Sequence, residues 1–323
     1  MNIIHKSKTH NQLLDAFKFL AAFAVMHLHT TLGNVGEEWS TVIRLACRWA
    51  VPFFFISAGY YLGQKHQTSK ISLSTITANL VNLIGIFIVA NITYLILSLG
   101  SGYIWFTNDV KYLFVGTFWH LWFLGSMIFA YLLIWFIDEV LGRATLYACG
   151  IMTLLSCIIV AIATTHLPVK INYDELPRFT SGFAFMVLGM ILSKVNIFRI
   201  NKSFSLSFVL LSIACIFAEV YGYHLGNALN SDLEMSVGIA MLAVSLFIVS
   251  QAFSIRENIF STIGKRYALF IYLYHVFVFK MMIKCFAILK VNPAPLYIFF
   301  PIFALTILLG TVYLLETKFG RVF

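Results

Sequence analysis

The sequence predicts an all-α protein, a polytopic transmembrane helical bundle of about ten spans with both termini in the cytoplasm. Three observations support this: the composition, the length of the apolar runs, and the distribution of Lys and Arg between them. Of 323 residues, 60% are hydrophobic and 11% charged, and the mean hydropathy is +0.89. Soluble domains carry roughly 25% charged residues, so this chain lacks the polar surface that a soluble fold needs.

The apolar runs have the length of membrane-crossing helices, which need about 20 residues. They lie at about 13–33, 43–63, 75–99, 116–137, 144–163, 178–195, 203–223, 234–252, 266–288 and 294–315. None shows the pattern that is typical of transmembrane barrel strands, in which apolar and polar residues alternate over about ten positions. The short gaps predict a single transmembrane domain over residues 1–323 without a separate soluble domain. No cleavable signal peptide is evident, because the first run is long enough to stay as an anchor.

The Lys and Arg residues between the runs predict the orientation. With the N-terminus in the cytoplasm, thirteen lie in cytoplasmic segments: Lys6, Lys8, Lys65, Lys70, Arg143, Lys194, Arg199, Lys202, Arg256, Lys265, Arg266, Lys318 and Arg321. Four lie in outside segments: Lys111, Lys170, Arg178 and Lys290. Cytoplasmic loops carry the excess of positive charge, so both termini are expected to be cytoplasmic.

Composition also argues against two other classes of protein. The formal charge of +9 is scattered through short loops and forms no basic stripe, so no nucleic-acid partner is expected. The five cysteines lie in apolar runs at spacings that suit no metal site, and they are expected to be buried hydrophobic residues. They are Cys47, Cys149, Cys157, Cys215 and Cys285.

The first run, "LLDAFKFLAAFAVMHLHT", contains four ionisable residues. Each costs about 2.5–3.5 kcal/mol in a membrane-spanning helix, so such residues usually have a function. On a regular helix, Lys18 and His29 lie within about 20° of each other, with Asp15 on the same face. His27 points to the opposite side. The stripe predicts a polar cavity lined by this helix; an Asp15–Lys18 ion pair at the cytoplasmic end and a neutral, hydrogen-bonded interior His29 are the simpler alternatives.

The second run, "RLACRWAVPFFFISAGYYLG", contains two arginines. Arg44 and Arg48 are i,i+4 neighbours near its outer end, where a guanidinium group can hold a carboxylate, phosphate or oxyanion through paired hydrogen bonds. Pro52 is expected to bend this span. The small residues that begin at Ser57 favour close helix packing.

Two later runs place histidines beside aromatic residues. His120 lies near the outer surface between Trp119 and Trp122, and an interfacial aromatic belt explains the tryptophans without any function. His275 lies near mid-membrane, with Tyr272 about one turn before it. Both histidines are candidate site residues.

Two other charged residues have less certain roles. Arg178 opens the sixth run and is expected either to form a loop salt bridge with Asp174 or Glu175 or to contribute to a site. Glu219, in the seventh run, is an isolated carboxylate whose partner the sequence does not identify.

Four motifs in order resemble the acyltransferase-3 family of bacterial membrane proteins. "LLDAFKFLAAFAVMHLH" is similar to the family's first-span pattern "LDxLRxxAxxxVxxxH", with Lys18 in place of arginine and ten residues before His29. "VPFFFISAGYYLG" resembles "VPxFFxxSGFxL", and "WHLWFL" and "IGKRYALFIYLYH" resemble later patterns. The resemblance runs from about residue 13 to the end of the chain, and ten membrane helices are what the family predicts.

The resemblance implies an O-acetyltransferase of the bacterial cytoplasmic (inner) membrane. It would move acetyl from acetyl-CoA, a co-substrate and not a bound cofactor, to a hydroxyl of a cell-surface polysaccharide or its lipid-linked precursor. His29 would be the general base or acyl carrier. The expected catalytic residues are His29, Asp15 and Arg48; the expected donor-binding residues are Lys18 and Ser57; the expected acceptor or oxyanion residues are His120, Arg178, His275 and Tyr272.

Two other functions remain compatible with intramembrane charge. A transporter or flippase would use these residues as a proton or substrate path. A haem or metal protein would use His29, His120 and His275 as ligands. The absence of paired Gly or Pro interruptions in corresponding spans argues mildly against transport.

Overall fold

The computed structural model describes residues 11–30, 37–99, 115–166, 176–197, 200–225 and 236–319. Every regular element in these ranges is a helix, which confirms the all-α prediction. The α-helices are α1 Gln12–Leu28, α2 Glu37–Cys47, α3 Ala50–Lys65, α4 Leu73–Leu99, α5 Trp122–Val140, α6 Arg143–His166, α7 Leu176–Leu192, α8 Lys202–Leu225, α9 Val237–Ala252, α10 Ile259–Ile288 and α11 Phe300–Phe319. Short 3₁₀ helices, Trp119–Leu121 and Ala294–Phe299, precede α5 and α11.

Seven helical stretches in the described ranges are long and apolar enough to cross a membrane. They are Val42–Lys65, Leu73–Ser98, Trp119–Val140, Arg143–Val160, Lys202–Tyr221, Ile259–Ile288 and Pro295–Lys318. Shorter apolar helices occupy Phe179–Leu192 and Val237–Ala252. These helices support a multi-pass membrane protein, while the count of ten spans and the location of the termini stay predictions.

The second apolar run is divided between two helices. Helix α2 ends at Cys47 and α3 begins at Ala50, so Arg48 lies in the turn between them. Arg44 and Arg48 are therefore not on one regular helix. This differs from the i,i+4 arrangement that the sequence pattern indicates. Pro52 lies in the first turn of α3, where its missing N–H disrupts no helical hydrogen bond.

Two closely packed pairs of parallel helices form the centre of the bundle. In α3 and α7, a Cβ atom on Gly59 would lie 1.9 Å from the Met186 carbonyl oxygen, and one on Gly189 would lie 2.1 Å from the Ile56 oxygen. In α1 and α10, a Cβ atom on Gly264 would lie 1.8 Å from the Asp15 carbonyl oxygen. Glycine therefore permits backbone contact at each crossing, as small residues do in membrane helices.

Helices α1 and α10 run in the same direction and define two ends of the bundle. Asp15 lies beside Gly264 near their N-termini, and His29, the C-cap of α1, stacks on His275 near the middle of α10. We call these the Lys18 end and the His29 end, respectively. The interface between α1 and α10 therefore has a polar site at each end, one at Asp15 and the other at His29.

At the Lys18 end, hydrogen bonds of Arg143 and Asp138 connect the end of α5 to the start of α6 and to the loop before α4. The Arg143 Nη2 atom donates to the Asp138 carboxylate at 2.9 Å, and a second guanidinium nitrogen donates to the His66 carbonyl oxygen. Asp138 also accepts from the Ile71 backbone N–H. These hydrogen bonds therefore fix the loop between α3 and α4 to the start of α6.

The structure identifies the hydrogen-bond partners of Glu219, which the sequence alone does not. Its two carboxylate oxygens accept hydrogen bonds from the Val237 and Gly238 backbone N–H groups, at 2.8 and 3.1 Å. These groups belong to the first turn of α9, whose helix dipole also favours a negative charge. Glu219 is thus a capping residue between α8 and α9.

Candidate active site between the end of α1 and the middle of α10

Three histidines from three separate elements meet at the His29 end. The rings of His29 and His275 stack with centroids 5.2 Å apart and planes 13° apart. His120, from the 3₁₀ turn before α5, lies 5.6 Å from His275 and 6.3 Å from His29 by ring centroids. Residues separated by more than 240 positions in the chain therefore form one imidazole cluster, which we call the histidine cluster.

Two of these rings are held in a defined orientation by backbone carbonyls. The His275 Nδ1 atom donates to the Tyr272 carbonyl oxygen at 2.7 Å, and the His120 Nε2 atom donates to the Leu273 carbonyl oxygen at 3.1 Å. A carbonyl only accepts, so each of these nitrogens carries the proton. In the neutral rings, His275 Nε2 and His120 Nδ1 are therefore acceptors, and neither has a hydrogen-bond partner among the described residues.

The Leu273 carbonyl anchors a second side chain as well. The Tyr94 hydroxyl donates to it at 2.7 Å and accepts from the Phe277 backbone N–H at 3.1 Å. In a regular α-helix the Phe277 N–H donates directly to the Leu273 carbonyl oxygen. The Tyr94 hydroxyl bonds to both of these groups on α10. This contact from α4 fixes the turn that carries His275.

His29 differs from the other two histidines in accessibility and support. His120 and His275 are fully buried, whereas the His29 side chain is only partly buried. It follows the last residue of α1 as the C-cap, and no hydrogen bond holds its ring within the described residues. The edge-to-face contact with Trp119, at 4.3 Å between centroids, supports the ring instead. His29 is therefore the most exposed histidine of the cluster, although the rings of Trp119, His120 and His275 pack around its own ring.

Lys18 and Asp15 lie at the opposite end of the same helix. Lys18 Nζ donates to the Asp15 carboxylate at 2.9 Å, and Asp15 is fully buried. Lys18 also lies over the Tyr61 ring, 5.6 Å from its centroid, and its side chain retains 24% exposure. The ion pair leaves the ammonium group partly accessible, so it can still contact an anion.

The structure brings only part of the predicted site together. The Tyr272 hydroxyl donates to the His120 carbonyl oxygen, so it orients the 3₁₀ turn and is not available as an oxyanion donor. The Ser57 hydroxyl donates within α3 to the Phe53 carbonyl oxygen. The Arg178 side chain, with its expected partners Asp174 and Glu175, lies outside the described residues.

Of the two roles predicted for His120, the chemistry argues against the oxyanion donor, while positioning of the acceptor stays a prediction. Its Nε2 proton is used on the Leu273 carbonyl, so the neutral ring has no proton left to donate to an oxyanion. Cationic groups nearby are better suited to that task. Arg44 and Arg48 both lie within electrostatic range of His29, and a guanidinium group keeps its charge at all physiological pH values.

Sequence reasoning missed two aromatic contributors to this site. Trp119 was explained by an interfacial belt, yet its indole ring packs on His29. Tyr94 lies in an apolar run with no neighbouring polar motif, although its ring contacts His120 with centroids 4.9 Å apart. No local pattern distinguishes either residue from ordinary membrane aromatics, because their partners are distant in sequence.

The arrangement is suited to proton transfer between a substrate and a supported imidazole. His29 is partly buried, packs against two histidines that each keep one acceptor nitrogen without a described partner, and lies within electrostatic range of two guanidinium groups. An imidazole in this position can remove a proton from a hydroxyl or carry an acyl group. The nearby positive charges would stabilise an oxyanion that develops beside it.

Comparisons with known proteins bear on the family of the chain. A segment of 131 residues is 27% identical to a protein of Enterococcus faecalis described as an amino-acid racemase, covering 38% of this chain and 18% of that protein. No solved structure matches the chain. The model of the acyltransferase-3 family, described as an acyltransferase domain, matches residues 11–315. The chain therefore belongs to the acyltransferase-3 family.

Proposed function

We propose that the protein is an O-acetyltransferase of the bacterial inner membrane. It transfers acetyl from acetyl-CoA to a hydroxyl of a cell-surface polysaccharide or of its lipid-linked precursor. The observation that carries the proposal is the histidine cluster, in which partly buried His29 is supported by Trp119 and stacked on buried His275. The family assignment supports the reaction class.

In the proposed reaction, His29 acts as the general base. Its neutral ring takes the proton of the acceptor hydroxyl while that oxygen attacks the thioester carbonyl carbon. The carbon–sulfur bond then breaks, and the CoA thiolate leaves and takes up the proton from His29. Arg48 and Arg44 stabilise the oxyanion of the tetrahedral intermediate, a contribution of about 2.7–4 kcal/mol for a well-placed donor.

The two ends of α1 correspond to the two substrates. Lys18 and His29 are eleven residues apart, which is about 16 Å along a helix. Acetyl-CoA is made in the cytoplasm, so Lys18 is assigned to its anionic groups, with Asp15 orienting the ammonium group. The acceptor glycan approaches His29 from the opposite side of the membrane.

The directions of the helices support the predicted topology. His120, at the start of α5, lies at the His29 end, while Asp138, near the end of α5, pairs with Arg143 at the other end. Asn11 before α1 donates to the Ser250 carbonyl oxygen near the end of α9. This alternation is what ten crossings require of α1, α5, α6 and α9, and the distribution of Lys and Arg assigns the Lys18 end to the cytoplasm.

A comparison of two histidine variants tests the proposal. Membranes that contain His29→Ala should release no CoA from acetyl-CoA above background and should add no acetyl to extracted glycans, as measured by mass spectrometry. The His27→Ala variant is the matched control, because the His27 Nδ1 atom contacts only the Phe23 carbonyl oxygen in its own helix. It should retain most of the activity.

Two results would contradict the proposal. Activity of His29→Ala at the wild-type level would remove His29 from the chemistry. Substrate flux across vesicles without consumption of acetyl-CoA by the wild type would favour a transporter instead.

A further inference from the structure

Three aromatic rings pack around His29, and they differ in their exposure. His120 and His275 are fully buried, whereas Trp119 is 44% exposed. The Trp119 ring also lies nearest to the His29 ring, with centroids 4.3 Å apart, against 5.2 Å for His275 and 6.3 Å for His120. Of these three rings, Trp119 is therefore the one that a substrate approaching His29 can touch.

The backbone that carries Trp119 is held on both sides by hydrogen bonds. Before it, the Thr117 N–H donates to the Asn91 side-chain oxygen at 2.6 Å, and the Thr117 hydroxyl donates to the Asn91 carbonyl oxygen at 3.2 Å. After it, the His120 carbonyl oxygen accepts from the Tyr272 hydroxyl. Helices α4 and α10 therefore fix the position of this residue, while the indole ring itself stays exposed.

An interfacial aromatic belt does not require this arrangement. A belt tryptophan only has to place its ring at the level of the lipid headgroups. Trp119 instead begins the 3₁₀ helix before α5, on an anchored backbone and in contact with the ring of the proposed base. An exposed indole ring offers a large contact surface that loses little conformational entropy on binding. Trp119 thus has the properties of a binding surface for a substrate.

The face of an indole ring is suited to contact with a sugar. Aromatic faces are electron-rich and attract groups of positive polarity, and one face of a pyranose ring presents several C–H groups of that kind. Sites for small ligands combine such apolar contacts with a few polar groups that fix the orientation. A pyranose on Trp119 would lie beside the imidazole of His29, because the two side-chain rings are in direct contact.

We propose that Trp119 is an acceptor-binding residue, whose exposed indole ring holds a pyranose ring of the glycan while a hydroxyl of that sugar reaches His29. This inference rests on the proposed function, because it assigns a binding residue for the acceptor of the same site. Contact with the C–H face fixes the orientation of the sugar ring and so determines which hydroxyl faces the base. An acyclic alcohol lacks such a face and gains nothing from the indole.

Steady-state kinetics separate acceptor binding from mere support of His29. The probe is the glycan fraction, polysaccharide and lipid-linked precursor together, extracted from cells that lack this protein. Release of CoA is measured in membranes at varied glycan and at varied acetyl-CoA. Trp119→Leu, which removes the flat ring, should raise KM for the glycan by about tenfold, the loss expected for one central aromatic contact, and leave KM for acetyl-CoA nearly unchanged. Trp119→Tyr, which keeps a flat ring, should recover most of the affinity.

Phe136→Leu is the matched control for the loss of an exposed aromatic ring. Phe136 is 52% exposed and lies in α5 close to Asp138, toward the Lys18 end. The substitution therefore removes an aromatic side chain from the surface of the bundle without touching the histidine cluster. This variant should give the wild-type KM for both substrates.

A spectroscopic measurement reports the contact without requiring turnover. The full-length protein in nanodiscs is labelled with fluorotryptophan, and its fluorine NMR spectrum is recorded without acetyl-CoA. The chain has six tryptophans, and the resonance that Trp119→Phe removes belongs to Trp119. Addition of the glycan fraction should shift this resonance. It should leave the resonance of Trp135 unchanged, because Trp135 lies close to Asp138, toward the Lys18 end.

The outcomes separate this inference from the proposed function. A wild-type KM for the glycan in Trp119→Leu, a loss shared by Phe136→Leu, or a fall in kcat alone would overturn the acceptor-binding role of Trp119. Acetylation without any shift of the Trp119 resonance would support the proposed function and refute this inference. A shift without any release of CoA would refute the acetyltransferase and leave the sugar contact intact. Neither acetylation nor a shift would refute both.

Discussion

At the scale of single residues, one backbone carbonyl organises the candidate site. Leu273 C=O accepts from both His120 and Tyr94, which come from different elements. Each contact fixes a ring in a buried environment, where a lost partner leaves a polar group unsatisfied. Tyr94 is therefore a positioning residue for the turn that carries His275, although it touches no substrate in the proposed reaction.

Removing the Tyr94 hydroxyl should affect turnover more than binding. Tyr94→Phe keeps the ring but loses bonds to Leu273 and Phe277, so we expect a loss of stability of about 1–2 kcal/mol. We also expect kcat to fall several-fold at nearly constant KM for the acceptor. Tyr313→Phe, at an exposed position in α11, is the control. A change in KM alone would mean that Tyr94 contributes to binding instead.

Lys18 offers a second test at this scale. Lys18→Ala removes the ion pair with Asp15 and should raise KM for acetyl-CoA by about tenfold, while Lys18→Arg should be tolerated because it keeps the charge. Initial rates at varied acetyl-CoA provide the measurement, and Lys65→Ala, exposed at the end of α3, is the control. An unchanged donor KM in Lys18→Ala would exclude Lys18 from the donor site.

At the scale of elements, the contact between α1 and α10 determines whether the site forms. Gly264 allows the two backbones to touch near Asp15, and the same interface brings His29 onto His275. Any separation of these helices would pull the stacked rings apart. The glycine is thus as important to the site as the residues that take part in chemistry.

Substitution of this glycine should therefore destabilise the protein and reduce activity together. A Cβ atom at position 264 would lie 1.8 Å from the Asp15 carbonyl oxygen, a clash with backbone that no side-chain rotation relieves. We expect Gly264→Ala to cost about 1–3 kcal/mol or more, measured as a lower thermal midpoint in detergent. Gly310→Ala, which meets nothing within 4 Å, should retain both stability and activity. Wild-type stability of Gly264→Ala would show that the helices are further apart.

At the scale of the whole molecule, buried polar groups occupy the two ends of the bundle and apolar side chains cover its periphery. The candidate spans in α4, α6 and α8 are each only 17% buried over their most apolar window, as expected for helices that face lipid. The central helices α1, α3, α7 and α10 provide the close contacts. This division places the polar stripe of α1 inside the bundle, away from lipid.

Cysteine labelling tests the predicted orientation of the bundle. In a background with the five native cysteines replaced, Lys290→Cys, at an exposed position that the sequence predicts to lie outside, should react with a membrane-impermeant maleimide in spheroplasts. Gln67→Cys, also exposed but at the Lys18 end, should react only after permeabilisation. The reverse pattern would place the His29 end in the cytoplasm and contradict the assignment of donor and acceptor sides.

The sequence by itself determined the all-α class, the membrane environment and the family resemblance. Hydropathy and helix-length runs are local properties, and the motif around Lys18 and His29 is contained in one helix. Local sequence also placed Asp15 and Lys18 three residues apart, as their ion pair requires.

Only the tertiary structure decided which residues meet. The division of the second run at Arg48, the capping of α9 by Glu219, and the approach of Trp119 and Tyr94 to the histidines all depend on contacts between distant segments. The protonated nitrogens of His120 and His275 were likewise set by carbonyls on α10. Periodicity specifies the face on which a side chain lies, but its partner is set by helix packing, which single-chain patterns do not encode.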